Sequence, residues 1–191
     1  MLLNSKTSAL ASRLGGEGAS IGEVFTFLSS LYFRGKLTYA TAFGAAPSGW
    51  SGALVITPGR GLVPSETIIR ADDLRGMADV PVDPDEPRYV EPLLRDARAL
   101  EGAIGADGGV VLLGSIATGK YVDPLLSVFG ERLLFPPVFV GRGDMSRGGL
   151  LLRSVRARTP LEFAPVKGAV RSGPRAPKLD TLLRKKKPAP R

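Results

Sequence analysis

Apolar spacing divides the chain into alternating helical and extended segments. Residues 1–19 are small, polar and Gly-rich and read as a loosely ordered start. Ser20 and Glu23 have the S-x-x-E spacing of a capping box. Ile21, Val24, Phe25, Leu28, Leu31 and Tyr32 follow at helical spacing. Phe27 and Phe33 make this N-terminal helix apolar almost all round, which predicts burial on more than one side. Arg34-Gly35-Lys36 interrupts it, and residues 37–43 continue or restart it.

Residues 53–57 form a short continuous apolar run, as expected of a central parallel strand. A Pro/Gly-rich turn over residues 58–64 ends it. Asp72 is placed to cap a short helix over residues 73–78. Residues 80–92 hold four prolines and read as a surface loop. Residues 91–104 are a helix with Leu93, Ala97, Leu100 and Ile104 on one face and Gly105 as its stop. Residues 110–114 read as a second buried strand. Val122, Leu125, Leu126 and Phe129 mark the next helix, which stops at Gly130. Residues 133–140 read as a third strand, made irregular by Pro136-Pro137. Residues 150–156 and 161–166 read as a closing hairpin. The alternation predicts an α/β fold: one three-layer domain over residues 20–170 with a mainly parallel central sheet. A flexible N-terminus (1–19) and a disordered basic tail (171–191) flank it.

Charge changes the picture at one end. The 191 residues carry a net charge of +8. Residues 171–191 hold eight bases (Arg171, Arg175, Lys178, Arg184, Lys185, Lys186, Lys187, Arg191) and one acid (Asp180), a net of +7. The high isoelectric point therefore belongs to the tail. Residues 66–101 carry ten acids and five bases, a net −5 face without metal-ligand spacing. Cys and His are both absent, which excludes disulfides, thiolate or imidazole metal sites and a His-based triad. No metal or cofactor is expected. No apolar run approaches the roughly 20 residues that cross a bilayer. With no targeting signal, the expected location is cytoplasmic, with no membrane partner.

Three glycine-rich turns at strand ends carry the candidate chemistry, because ligands of open α/β sheets sit beyond the carboxyl ends of strands. Gly114, Ser115, Gly119 and Lys120 belong to a G-x-x-x-x-G-K match between a strand and a helix. Tyr121 stands where a P-loop needs Ser or Thr for Mg²⁺, so the reading is reduced to an anion at a helix N-terminus beside Lys120, or to a tight turn. Residues 141–149 follow a strand, with Arg142 and Arg147 as bidentate anion donors. Asp144 and Ser146 are the candidate catalytic residues, for proton transfer or substrate orientation. Arg60 in the first turn is a further anion contact or part of a structural turn. Arg184, Lys185, Lys186 and Lys187 form a run that binds polyanions, such as nucleic acid, or solubilises the chain.

The turn at Thr57 to Pro64, the LLGSIA segment at Leu112 to Ala117 and the Gly141 to Gly149 loop resemble the uracil-DNA-glycosylase-like superfamily. The likeness is to its divergent branch, seen in archaeosine-synthase-type tRNA-modifying proteins and related uncharacterised bacterial proteins. It covers residues 54–153. The first turn lacks the acid or amide of the glycosylases, and their His-Pro-Ser has no counterpart in a chain without His. What the resemblance implies is a nucleobase- or nucleic-acid-related pocket. The expected function is thus a nucleotide- or nucleic-acid-binding protein with a glycine- and arginine-lined crevice. The alternative is a non-enzymatic accessory protein whose basic tail docks on RNA, DNA or an acidic partner.

Overall fold

Strand β2 (Leu54–Thr57) does not enter a parallel sheet; it turns back through residues 58–60 and pairs antiparallel with β3 (Gly61–Pro64), Leu54 opposite Pro64 and Thr57 opposite Gly61. The structure is a computed structural model that describes residues 9–177. About 51% of it is helical, and its sheets are short, with two or three strands each. The mainly parallel central sheet is therefore absent from the described residues, and the fold class is corrected to a helix-rich α/β arrangement. The apolar run over residues 53–57 has a different cause from the one expected. Val55 and Val63 pack into one core with Ile21, Val24 and Ile69, while Leu54, Ile56 and Leu62 pack against another around Leu93 and Leu100. A hairpin wedged between two cores is apolar on both faces, as a central parallel strand is.

Helix α1 (Ala9–Leu14) and strand β1 (Ala19–Ser20) lie in the segment expected to be loosely ordered. They are held because Leu10 and Leu14 are buried and β1 pairs antiparallel with β4 (Ile68–Ile69). Helix α2 (Ile21–Phe43) starts at its Ser20 cap, whose Oγ accepts from Glu23 N at 3.2 Å. It runs through Arg34-Gly35-Lys36 without a break. Helices α3 (Ala71–Ala78) and α4 (Pro87–Ile104) follow, α4 starting four residues before the expected position and ending at Gly105 with φ +66°. Strand β5 (Val110–Val111), helix α5 (Gly119–Phe129) and strand β6 (Leu133–Phe135) make the one parallel pairing among the described residues. Residues 137–139 turn as a 3₁₀ helix in place of the expected strand end, consistent with the missing N–H groups of Pro136 and Pro137.

The expected closing hairpin is also overturned. Residues 144–157 form helix α6 (Asp144–Ala157), and only β7 (Ala164–Pro165) adds antiparallel to β6. Gly35 and Gly148 explain why α2 is continuous and why the glycine-rich segment is helical. A Cβ on Gly148 would lie 2.9 Å from Leu31 O, and one on Gly35 would lie 2.9 Å from Gly148 O. Backbones approach this closely only where both helices lack a side chain. Tyr32 meets Arg147, and Tyr39 packs with Leu151, so the two helices advance in the same direction across the contact. Among the described residues no helix is long and apolar enough to cross a membrane.

Candidate functional site

Of the residues singled out in the sequence, Arg142, Asp144, Ser146 and Arg147 come together, at the start of α6. They sit on a helix and not on the expected loop. Each arginine is occupied by the fold. Arg142 donates from Nε to Val138 O (3.0 Å), and from Nη1 to Ser146 Oγ (3.3 Å) and Pro177 O (2.9 Å). It ties the 3₁₀ turn, the first turn of α6 and the segment leading to the tail. Arg147 donates from Nε to Phe139 O (3.2 Å), lies 3.5 Å from Asp144 Oδ1, and rests about 6 Å from the ring centres of Tyr32 and Phe139. Its side chain is only 12% exposed, whereas that of Asp144 is 70% exposed. Asp144 is open to solvent beside a buried cation.

Helix α2 supplies two groups that sequence reasoning missed. The Tyr32 hydroxyl donates to Leu113 O at 3.1 Å, and Lys36 Nζ stands 4.2 Å from the Tyr32 ring centre. Burial pushes the Tyr32 hydroxyl up to about 12, with Arg147 opposing. Burial also pulls the Lys36 ammonium below its ordinary value, and Asp144 opposes that. No carboxylate pairs with Lys36 among the described residues. The only sequence signal for this pair is its i, i+4 spacing; the partners on α6 are set by the helix crossing.

The remaining turns do not join this corner. Leu113, next to Gly114, touches it through Tyr32, but Ser115 is occupied as an acceptor for Ala117 N (3.3 Å). The start of α5 is covered by its own chain: the Asp123 carboxylate abuts Gly119 where a Cβ would stand, and Arg171 pairs with Asp123 at 3.0 Å. The anion place beside Lys120 thus faces a carboxylate. Tyr89 donates to Lys120 O at 3.0 Å. Arg60 lies in a separate cleft and pairs with Asp73. Arg70 N–H and then Arg60 hold that carboxyl below its usual range. A single crevice built from three glycine loops is not present among the described residues. Arg184, Lys185, Lys186 and Lys187 lie outside them.

The cleft at Arg60 is open, about 760 Å³, and lies between the β2–β3 turn, α3 and the first half of α4. Met77, Val80, Pro58 and Pro92 give it an apolar floor. Among the described residues no three acidic side chains are grouped to hold a metal ion. No protein family, curated protein or solved structure matches the chain.

Proposed function

We propose that this protein is a nucleic-acid-binding accessory protein whose polyanion contact is made by the basic residues of its C-terminal segment. The observation that carries the reading is a division of cations. Arg60, Arg142 and Arg147 are each held by intramolecular partners, while residues 171–191 carry a net charge of +7. Phosphate binding by such a segment is sequence-independent and strongly salt-dependent. The test is a fluorescence-anisotropy titration of the full chain with a single-stranded oligonucleotide across a salt series. Replacing Arg184, Lys185, Lys186 and Lys187 with Gln should weaken binding and make the slope of log K against log salt shallower by about 2.8, roughly 0.7 per base. Unchanged affinity and slope would reject the reading.

A second reading places a nucleotide or phosphorylated small molecule at the α2–α6 corner. The half-buried Lys36 ammonium favours it, with Asp144 acting on it but no carboxylate within ion-pair distance among the described residues. A thermal-shift screen with nucleotides checks it, since a ligand at 100 times its dissociation constant adds about 2.7 kcal/mol. The shift should vanish in Lys36→Gln.

A further inference from the structure

Helical spacing gives α2 one inward stripe through Ile21, Val24, Leu28, Leu31, Gly35 and Tyr39. Ile21 and Val24 are buried in the core that holds Leu10 and Leu14, and Gly35 and Tyr39 are covered by α6. Leu28 falls between these stretches on the same stripe and is 47% exposed. Its neighbour Phe27 is 55% exposed. Met145 stands one turn before Gly148, and Leu28 stands one turn before Leu31 and Tyr32, which Gly148 abuts. Because the two helices advance in the same direction, Met145 and Leu28 lie at the same end of the crossing. Met145 is 65% exposed, and Val138, in the turn before α6, is exposed as well. Clustered apolar side chains of this kind mark an interaction surface, whereas scattered ones need no explanation.

The chain carries a candidate occupant to the edge of this patch. Ala176 N donates to Gly141 O at 3.0 Å, and Arg142 Nη1 donates to Pro177 O at 2.9 Å. The same arginine donates from Nε to Val138 O. The last described residue is thus fixed beside Val138. Leu179, Leu182 and Leu183 follow Pro177 by two, five and six residues. Their i, i+3, i+4 spacing puts all three on one face of a helical turn. Within residues 171–191 they are the only apolar side chains larger than proline. Two to six residues reach up to ~7–22 Å. The Tyr32 ring is 6.5 Å from that of Phe139, the neighbour of Val138, and Leu28 is one helical turn, ~5.4 Å, back along α2. A tethered segment also meets its own body at an effective concentration in the millimolar range, so a small apolar contact suffices where a free partner would be too dilute.

We propose that residues 179–183 dock on this patch of their own molecule, with Leu179, Leu182 and Leu183 over Val138, Met145 and Leu28 and with Phe27 at the edge. Arg184 to Lys187 then follow outside the patch, and the docked leucines hold these bases at one place on the body. The contact is apolar and requires no nucleic acid, so it stands or falls apart from the function proposed above.

The test is nuclear Overhauser spectroscopy on the full chain. Cross-peaks should join the Leu182 or Leu183 methyls to the Phe27 ring and the Met145 methyl. They should survive near 1 M salt, where the screening length falls to ~3 Å and phosphate binding is lost. They should be lost in the double variant Leu28→Ser, Met145→Ser, while cross-peaks between Tyr39 and Leu151 report an intact fold. A second variant, Leu182→Ser with Leu183→Ser, changes only residues outside the described fold. It should shift the signals of Phe27, Leu28 and Met145 and leave those of Leu93 and Leu133 in place. Absence of cross-peaks to α2, or an unshifted patch in the second variant, overturns the proposal. So do cross-peaks found only between isotope-labelled and unlabelled copies in a mixed sample, since the occupant would then be a second copy. Cross-peaks from Leu2 or Leu3 in place of the tail leucines overturn it equally.

Discussion

The α2–α6 crossing and the α3–α4 cleft are both rich in glycine and charge, yet they use these residues in opposite ways. At the crossing, Gly35 and Gly148 are there for what they lack: a side chain on either would push the helices apart. Arg142 and Arg147 beside them are fastened to backbone carbonyls. At the cleft, Gly76 has nothing within 4 Å of where a Cβ would sit, and Glu91 lines the opening without an ion-pair partner among the described residues. Residue type alone does not separate a packing contact from a binding surface. What separates them is whether the surrounding groups are already satisfied.

The largest effect should come from breaking the crossing. Gly148→Leu forces the two backbones apart and should lower stability by about 3 kcal/mol, the upper range for overpacking. A fall in the urea midpoint at unchanged slope would register it, and an unchanged midpoint would refute the close helix contact. Next comes the buried hydroxyl at the same corner. Burial pushes the Tyr32 hydroxyl up to about 12 in the fold, against an ordinary value near 10. The folded state therefore holds this proton when the unfolded chain has lost it. The stabilisation is fully present below about pH 10 and is lost as pH rises toward 12. The loss should be on the order of 2–3 kcal/mol, two units at about 1.4 kcal/mol each. Lys36 acts in the other direction, because burial lowers its affinity for a proton. The clean measurement is thus the difference between the native chain and Tyr32→Phe in denaturant titrations at both ends of that range. Equal slopes with pH would mean that Tyr32 is not buried against Leu113 and Arg147.

Arg147→Ala removes the hydrogen bond to Phe139 O and the contact with two rings. It should cost about 1–2 kcal/mol, read from the same denaturant midpoints. An effect below about 0.5 kcal/mol would mean that the cation is spare and free for a ligand. The smallest expected effect is opposite in sign. Gly76→Ala in α3 meets no neighbour and should stabilise by up to about 1 kcal/mol through helix propensity alone. Destabilisation there would show that neighbours crowd Gly76, and would weaken the contrast with Gly148.

Local signals were legible in the sequence where their cause was local. Ser20 caps α2 as its spacing with Glu23 predicts, and Gly105 and Gly130 stop α4 and α5. The periodic faces of α4 and α5 supply Leu93, Ala97, Leu100, Val122, Leu125 and Phe129 to one core. The errors arose where two causes leave the same trace. Residues 53–57 are apolar because a hairpin lies between two cores, and the pattern does not distinguish that from a parallel strand. Residues 141–149 contain four glycines and two arginines, which favours a loop by local propensity. The packing of α6 on α2 overrides that propensity from Asp144 onward. Of the candidate site, Arg142, Asp144, Ser146 and Arg147 are neighbours in space as well as in sequence. Tyr32 and Lys36 join them only through the crossing.

The sequence by itself determined the start of α2, the stops of α4 and α5 and their apolar faces, the concentration of positive charge in residues 171–191 and the exclusion of Cys and His chemistry, because each follows from residue identity or short spacing. The tertiary structure decided which strands pair, that glycines 35 and 148 meet, and which arginines are already engaged. Those depend on contacts between residues far apart in the chain, where one side chain's surroundings are supplied by segments that share no local pattern with it.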